Sequence, residues 1–377
     1  MLDAKYIVVG SGIFGSVIAE RIASVLNKSV VVVEKRSHIG GNCHSEIDSQ
    51  TGIECHRYGS HIFHTSNEKV WRYINQYSSF TNYRHKVMAI SEGQVFCMPI
   101  NLKTLCDFFH RALSPTEARQ ILLTAQKNPN ESHNLEDKAI AMIGEELYRK
   151  FIRGYTLKQW NKDPKELPAE IITRLPVRTN FNTDYFNDPY QGVPKDGYFK
   201  LFESLLSNNN IKKLLNTDFS SIRSEIPPDA KIIYTGMIDE YFDHCLGALE
   251  WRSLTFEWET IPVQDYQGTT VMNYVDENIP YTRIHEFKHY HPERHIPYNL
   301  EQTIICKEYS EEWTLGKEAY YPVNTHRNQK LLAEYQKIAF QNPNLIFGGR
   351  LGSYCYWDMD KAISAALNCF ETQILEK

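Results

Sequence analysis

The 377-residue chain has no cysteines at CxxC spacing, no apolar run of membrane-spanning length, no internal repeat, no low-complexity linker and no excess of positive charge. Each absence removes a class of protein. The eight cysteines (Cys43, Cys55, Cys97, Cys106, Cys245, Cys306, Cys355 and Cys369) are scattered, which favours reduced core thiols over a disulfide framework or a zinc site, so no metal is expected. Forty-one basic residues against 46 acidic ones leave a formal charge of −5, so any phosphate has to be held by a local cluster, and nucleic acid is not an expected partner. The first strand pattern begins within a few residues of Met1, leaving no room for a signal peptide; the expected location is cytoplasmic, without membrane insertion. At 42% hydrophobic and 23% charged residues, the length suits two or three packed regions of a globular protein.

What is present begins with VVGSGIFGSVIAERI. Tyr6 to Val9 read as a short buried strand, Gly10, Gly12 and Gly15 stand at GxGxxG spacing, and the following residues have helical periodicity. Gly10 permits the turn, Gly12 lets backbone N–H groups approach a pyrophosphate, and Gly15 lets helix and strand pack closely. The glycines alone also fit a plain structural turn. Glu34 closes a second strand 19 residues beyond Gly15, where an acid accepts from a ribose hydroxyl and disfavours a 2′-phosphate. Further on, Gly40 and Gly41 follow the basic residues Lys35, Arg36 and His38. The segment EKRSHIGGN resembles the flavin-dependent branch of dinucleotide-binding proteins, so FAD is expected rather than NAD.

The pattern changes after His64. Segments such as KVWRYINQY, NLKTLCDFFHRAL, PTEARQILLTAQ and EDKAIAMIGEELYRKFIRGYT predict a helical insertion. GYFKLFESLL, IKKLLNTDF and KIIYTG read as helix, strand and strand and return to the cofactor region; SLTFEWETI, TTVMNYV, TRIHEFKHY and QTIICKEYS predict an antiparallel sheet, and LIFGGRL a last strand before a helix from Met359. The expected fold is α/β, with a discontinuous Rossmann-like FAD-binding domain (1–66, 189–238 and 340–377). A helical domain with a mobile loop (67–170) and an antiparallel β-sheet substrate domain (171–188 and 239–339) complete it.

Two further segments carry chemistry with open alternatives. In HRYGSHIFHT, His61 and His64 stand three apart and could be metal ligands, packed structural histidines, or, for His61, a wall of the flavin site. In FIRGYTLKQWNKDPKELPAEIITRLPVR, Phe151, Tyr155 and Trp160 offer flat faces for a base, and Arg174 and Arg178 offer charge for phosphates; a helix burying its aromatics is the competing reading.

VGSGIFG, EKRSHIGGN, YGSHIFHT, GYTLKQW, ELPAEIITRLPVR, IPYTRI, YYPVN and GGRL, in this order, resemble the bacterial UDP-galactopyranose mutase family along nearly the whole chain. The resemblance implies interconversion of UDP-galactopyranose and UDP-galactofuranose, an isomerisation without net oxidation. Reduced FAD would act through N5 as a covalent nucleophile at the anomeric carbon. It also implies an external reductant and a homodimer, with the product serving cell-surface polysaccharide synthesis. By the same resemblance, Arg174 and Arg283 clamp the diphosphate, and Phe151, Tyr155, Thr156, Trp160 and Tyr185 form the uridine wall. Tyr321 and Tyr356 reach the phosphates, and Arg252, Asn324 and Asp358 lie near the sugar. Gly12, Phe14, Gly15, Glu34, Lys35, Gly41, Asn42, Arg350 and Met359 border the FAD, with His61 against the isoalloxazine.

Some positions depart from the family pattern. Ser60 precedes His61 where relatives vary, Ile152 replaces an aromatic of the uridine wall, Trp357 stands where a tyrosine is frequent, and the stretch between Arg283 and Tyr321 is long. These leave open whether the N-acetylated galactosamine nucleotide is also a substrate. The alternative activity is an amine-oxidase-like flavoprotein oxidoreductase, which shares the fingerprint and the GG extension but needs no uridine wall. A non-catalytic nucleotide-sugar binder is the other.

Overall fold

The computed structural model describes residues 4–125, 133–173, 175–294 and 301–375. Five short strands form a wholly parallel sheet in the order Leu345–Phe347, Lys231–Tyr234, Tyr6–Val9, Val30–Val33, Ile211–Leu214. The strands Tyr6–Val9, Val30–Val33 and Leu345–Phe347 are runs of β-branched and large apolar residues without alternation, because helices cover the sheet on both faces, whereas the edge strand Ile211–Leu214 carries exposed Lys212 and Lys213. The strand Val30–Val33 is buried at every position. Helix Ile13–Val25 packs on it together with Tyr198–Leu205 and Met359–Cys369, closing a core of Val8, Ile18, Ile22, Phe202 and Ile363. The chain enters and leaves this sheet three times, as the sequence predicts for a discontinuous Rossmann-like unit.

The second sheet has seven strands in the order Tyr321–Pro322, Trp251–Ile261, Thr303–Glu312, Arg283–Glu286, Val271–Tyr274, Val87–Ser91, Gln94–Met98. Its last two strands fall inside the segment 67–170 that was expected to be a helical domain, so that segment is not helical throughout. The physical cause is a two-residue turn: Glu92 and Gly93 both have positive φ, at 52° and 76°, the geometry of a tight hairpin that matches strand twist. ISEGQVF carries that signal on a short window that helical periodicity on either side obscures. The hairpin also makes the sheet mixed rather than antiparallel, since Val271–Tyr274 runs parallel to Val87–Ser91.

Helices Leu102–Phe108, Pro115–Ala125 and Leu135–Ile143 pack against the hairpin around Leu102, Leu105, Leu122 and Leu135. Residues 171–188, expected to be extended, start with a helical turn at Glu170–Thr173 before becoming irregular. Helix His326–Phe340, N-capped by Thr325 Oγ1 accepting from Asn328 N, occupies a region read as sheet. No helix among the described residues is long and apolar enough to cross a membrane.

Candidate active site

The C-terminal tips of three parallel strands converge on the glycine fingerprint. Gly10 turns with φ of 96°, and a Cβ there would lie 2.1 Å from Thr235 Oγ1 beyond the neighbouring strand. A Cβ on Gly15 would lie 2.1 Å from the Gly10 carbonyl oxygen, so this glycine is needed for helix–strand contact. Gly12 is different: a Cβ there would meet nothing within 4 Å, and its backbone faces open space. Gly41 comes up beside it, with φ of 55° and a virtual Cβ only 2.9 Å from the Gly12 Cα. On the third tip Gly348 is pressed on Phe14, whose ring would be 2.2 Å from a Cβ. Phe14 is thus a buried wedge that holds the fingerprint helix against the last strand.

Glu34 ends the strand Val30–Val33 with its carboxylate turned back on the turn. Its Oε2 accepts from Ser11 N at 2.9 Å and Ser11 Oγ at 2.7 Å, and its Oε1 accepts from Arg36 N at 2.9 Å. Each oxygen has more than one lone pair, so a ribose hydroxyl can still be taken. Lys35 is exposed and pairs with Glu318 at 3.2 Å. The residue that organises this corner is Arg36: it donates to Asn42 Oδ1 at 2.9 Å, pairs with Glu318 at 2.9 Å and lies over the Tyr58 ring. Arg36 stands out in the sequence only as one of three neighbouring bases. An extended dinucleotide fits this cradle, since open backbone at Gly12 and the acid at Glu34 flank the same crevice.

Across the crevice, Arg350 lies 5.7 Å from the Tyr321 ring centroid and 5.3 Å from that of Tyr356, and the two rings stack at 5.2 Å. Arg350 is fixed from behind by donating to the carbonyls of Trp357 and Tyr320. Trp160, buried, stands 6.5 Å from Tyr321. Arg283 donates to the Tyr155 hydroxyl and pairs with Glu308 at 3.3 Å. Burial raises the Tyr321 phenol and Tyr356 and Glu308 push the same way, against the opposing cations Arg283 and Arg350, so these groups form one electrostatic cluster. Burial would also raise Glu308, but the Arg283 guanidinium and a bond from His285 hold it below the usual carboxylate range. Tyr185 packs edge-on to His85 at 5.4 Å. His61 donates through Nδ1 to the Gly59 carbonyl at 2.7 Å, and burial lowers its imidazole to about 4, so it is neutral at pH 7.

Several predicted positions fall elsewhere. Arg174 lies outside the described residues. Arg252 is 2% exposed and directs Nε to the Gln159 carbonyl at 3.0 Å and Nη2 to Ser310, so it anchors the helix end that carries Trp160 instead of facing open space. Asn324 is exposed and accepts from Gln329 at 3.0 Å. Phe151 meets Phe96 edge-on at 4.9 Å in the apolar core, within a π-helical turn, while Thr156 is buried one helical turn further on. Asp358 occupies the N-cap of helix Met359–Cys369 without a side-chain cap bond, and Met359 packs on the core beneath the cofactor sheet.

The metal alternative for His61 and His64 fails on direction. His64 turns away to Asp188 at 2.6 Å and stacks on Phe186. Asp265, Glu286 and His289 do gather ligand atoms, but Lys288 Nζ sits 3.5 Å from Asp265 and 3.4 Å from Glu286, and an ammonium there repels a cation. Glu308 and its partner His285 escaped the sequence reading. The available signal was a carboxylate at an inward position of QTIICKEYS, between half-exposed Lys307 and Tyr309.

The sequence model of UDP-galactopyranose mutases matches residues 150–356, and that of a Rossmann-like NAD(P)-binding domain matches residues 8–77. The chain is 41% identical to a probable UDP-galactopyranose mutase of Klebsiella pneumoniae over 97% of this chain and 94% of that one. It is 38% identical to a dTDP-fucopyranose mutase of Escherichia coli over 98% of both. The fold matches a crystal structure of reduced UDP-galactopyranose mutase with a TM-score of 0.75 at 14% identity, over 100% of this chain and 95% of that chain. The family model covers more than half of the chain and these relatives align along nearly all of it: the chain belongs to the UDP-galactopyranose mutase family of isomerases.

Proposed function

We propose that the protein interconverts the pyranose and furanose forms of UDP-linked galactose on a reduced FAD. The observation that carries this reading is the stacked pair Tyr321 and Tyr356 with the Arg350 guanidinium beside both rings, within electrostatic reach of the Arg283–Glu308 ion pair. When bound, the reduced flavin supplies a nucleophilic ring nitrogen, N5, to the anomeric carbon.

The chain's own residues position the sugar nucleotide and hold the departing diphosphate. Arg283 is pre-placed by Glu308 and Tyr155, so its charge meets the diphosphate as negative charge grows there, without reorganisation. Arg174 is assigned the opposite side of the clamp by family resemblance alone. The Tyr321 and Tyr356 hydroxyls contribute donors to the same phosphates. Tyr155, Tyr185 and Trp160 supply flat faces for the base and exclude water along the groove. Neutral His61 borders the flavin without adding a charge that would repel or attract a reducing electron.

The test is to incubate flavin-loaded protein with UDP-galactofuranose, with and without dithionite, and to follow products by chromatography. Conversion to the pyranose only after reduction is expected; equal conversion by oxidised protein, or oxygen consumed per product, contradicts the mechanism. A second reading takes a dTDP-linked 6-deoxy sugar as substrate, because the E. coli relative with that activity in its name aligns along 98% of both chains. Running the dTDP-fucose and UDP-N-acetylgalactosamine isomers beside UDP-galactose decides between them through kcat/KM.

A further inference from the structure

Ser60 and His285 are 225 positions apart in sequence, yet Ser60 Oγ lies 2.6 Å from His285 Nδ1. His285 is wholly buried, and its other ring nitrogen lies 3.0 Å from Glu308 Oε2. An ionised carboxylate only accepts, so Nε2 carries the proton, Nδ1 is the acceptor, and the Ser60 hydroxyl donates to it. Burial lowers the affinity of this imidazole for a second proton, against the opposing pull of Glu308. The other carboxylate oxygen of Glu308 is the one that pairs with Arg283. Gly59, with φ of 89°, lets the loop run this close: its virtual Cβ would be 3.4 Å from Glu308 Oε2. Ser60 is followed directly by His61, whose imidazole feels the charges of both Arg350 and Glu308.

We propose that His285 is a positioning residue that joins the Arg283 clamp to the Ser60–His61 loop, so that a diphosphate engaging Arg283 is registered at the flavin. The inference rests on the functional reading above and extends it to a residue that touches neither nucleotide nor cofactor. A diphosphate that draws the Arg283 guanidinium shifts the shared carboxylate. The carboxylate moves the imidazole, and the imidazole moves the serine that carries the flavin-side loop. Because coupling is reciprocal, a change of flavin state also alters diphosphate affinity.

Two substitutions separate the links. Gln at 285 extends a polar group toward the Nε2 position and retains the Glu308 side, whereas Asn reaches only the Nδ1 position and retains the Ser60 side. The flavin-loaded protein is titrated with UDP, with affinity read by calorimetry and the flavin response by visible difference spectroscopy. Ser60→Ala and His285→Gln are expected to keep UDP affinity within about threefold while the UDP-induced flavin band falls to less than about a third. His285→Asn is expected to lose about tenfold or more in UDP affinity, the scale of one charge-assisted hydrogen bond. Ser60→Thr, which restores the hydroxyl, restores the band. Ser60→Ala removes a single oxygen and carries the test if the His285 variants do not fold. An unchanged band in Ser60→Ala, or a lost band that Ser60→Thr does not restore, overturns the coupling alone. Failure of the wild-type protein to bind UDP overturns the functional reading and this inference with it.

Discussion

Glu308 holds Arg283 through a carboxylate oxygen 3.3 Å from the guanidinium Nε, and the acid is 2% exposed while the base remains partly open. One end of this ion pair is buried in the sheet and the other is offered to a ligand. Replacing Arg283 by Ala is expected to cost UDP binding about 1.5–3 kcal/mol, roughly a tenfold to 150-fold loss, with bound flavin and its spectrum retained. Calorimetric titration with UDP checks the first part and absorbance the second. Flavin loss along with nucleotide loss makes Arg283 structural.

Gly12 and Gly15 make opposite predictions although they belong to one motif. Gly12 has ordinary backbone angles, φ −66° and ψ −179°, and free space where a Cβ would go. Gly12→Ala is therefore expected to fold with an unchanged thermal midpoint in the absence of cofactor and to retain little flavin. Gly15→Ala drives a methyl into the Gly10 carbonyl and is expected to lose about 1–3 kcal/mol of stability. Calorimetry on cofactor-free protein and flavin content after gel filtration separate the two; full flavin retention by Gly12→Ala contradicts the cradle.

Acid sensitivity should begin above the carboxylate range. His56 and His85 are buried, and burial lowers each imidazole to about 3. Between that value and the unfolded value near 6.5, the unfolded chain binds protons that the folded one does not, so stability falls as pH falls. Each group contributes up to about 1.4 kcal/mol per pH unit across that window. Glu54, held at about 2 because hydrogen bonds from His291 and Ser45 outweigh its burial, adds its own loss only below about pH 4.5. Denaturation midpoints that stay level from pH 6.5 to 5 would falsify this account.

Lys158 donates to three carbonyls, those of Tyr274 at 2.6 Å, Asp276 at 2.8 Å and Tyr281 at 3.1 Å. It pins the helix bearing Tyr155 and Trp160 to the turn before Arg283. Lys158→Met keeps the apolar stem and leaves those acceptors to water, at an expected cost of about 1–3 kcal/mol. Urea denaturation measures it, and a loss below a few tenths of a kcal/mol means that water replaces the ammonium freely.

Local chemistry made much of the cofactor half legible. GxGxxG, the apolar strands on either side and Glu34 at the next strand end act through backbone conformation and short-range order, which a sequence states directly. The hairpin at Glu92 and Gly93 was equally local, yet only two residues carried it, and helical patterns surrounded them. Tyr155 and Trp160 were legible as flat faces suited to a base, whereas Tyr321 and Arg283 were singled out by family resemblance alone.

The sequence by itself determined the strand–turn–helix of the cofactor crevice and the residue types that could meet a sugar nucleotide. The tertiary structure alone decided which polar groups were already spoken for. Arg252 turned inward to the Gln159 carbonyl, Asn324 outward to Gln329, and Arg36 to Asn42 and Glu318. The physical reason is that a buried donor or acceptor must find a partner wherever the chain brings one. Ser60 and His285, 225 residues apart, meet because two sheets with separate local rules pack across one crevice, and no window of sequence contains both.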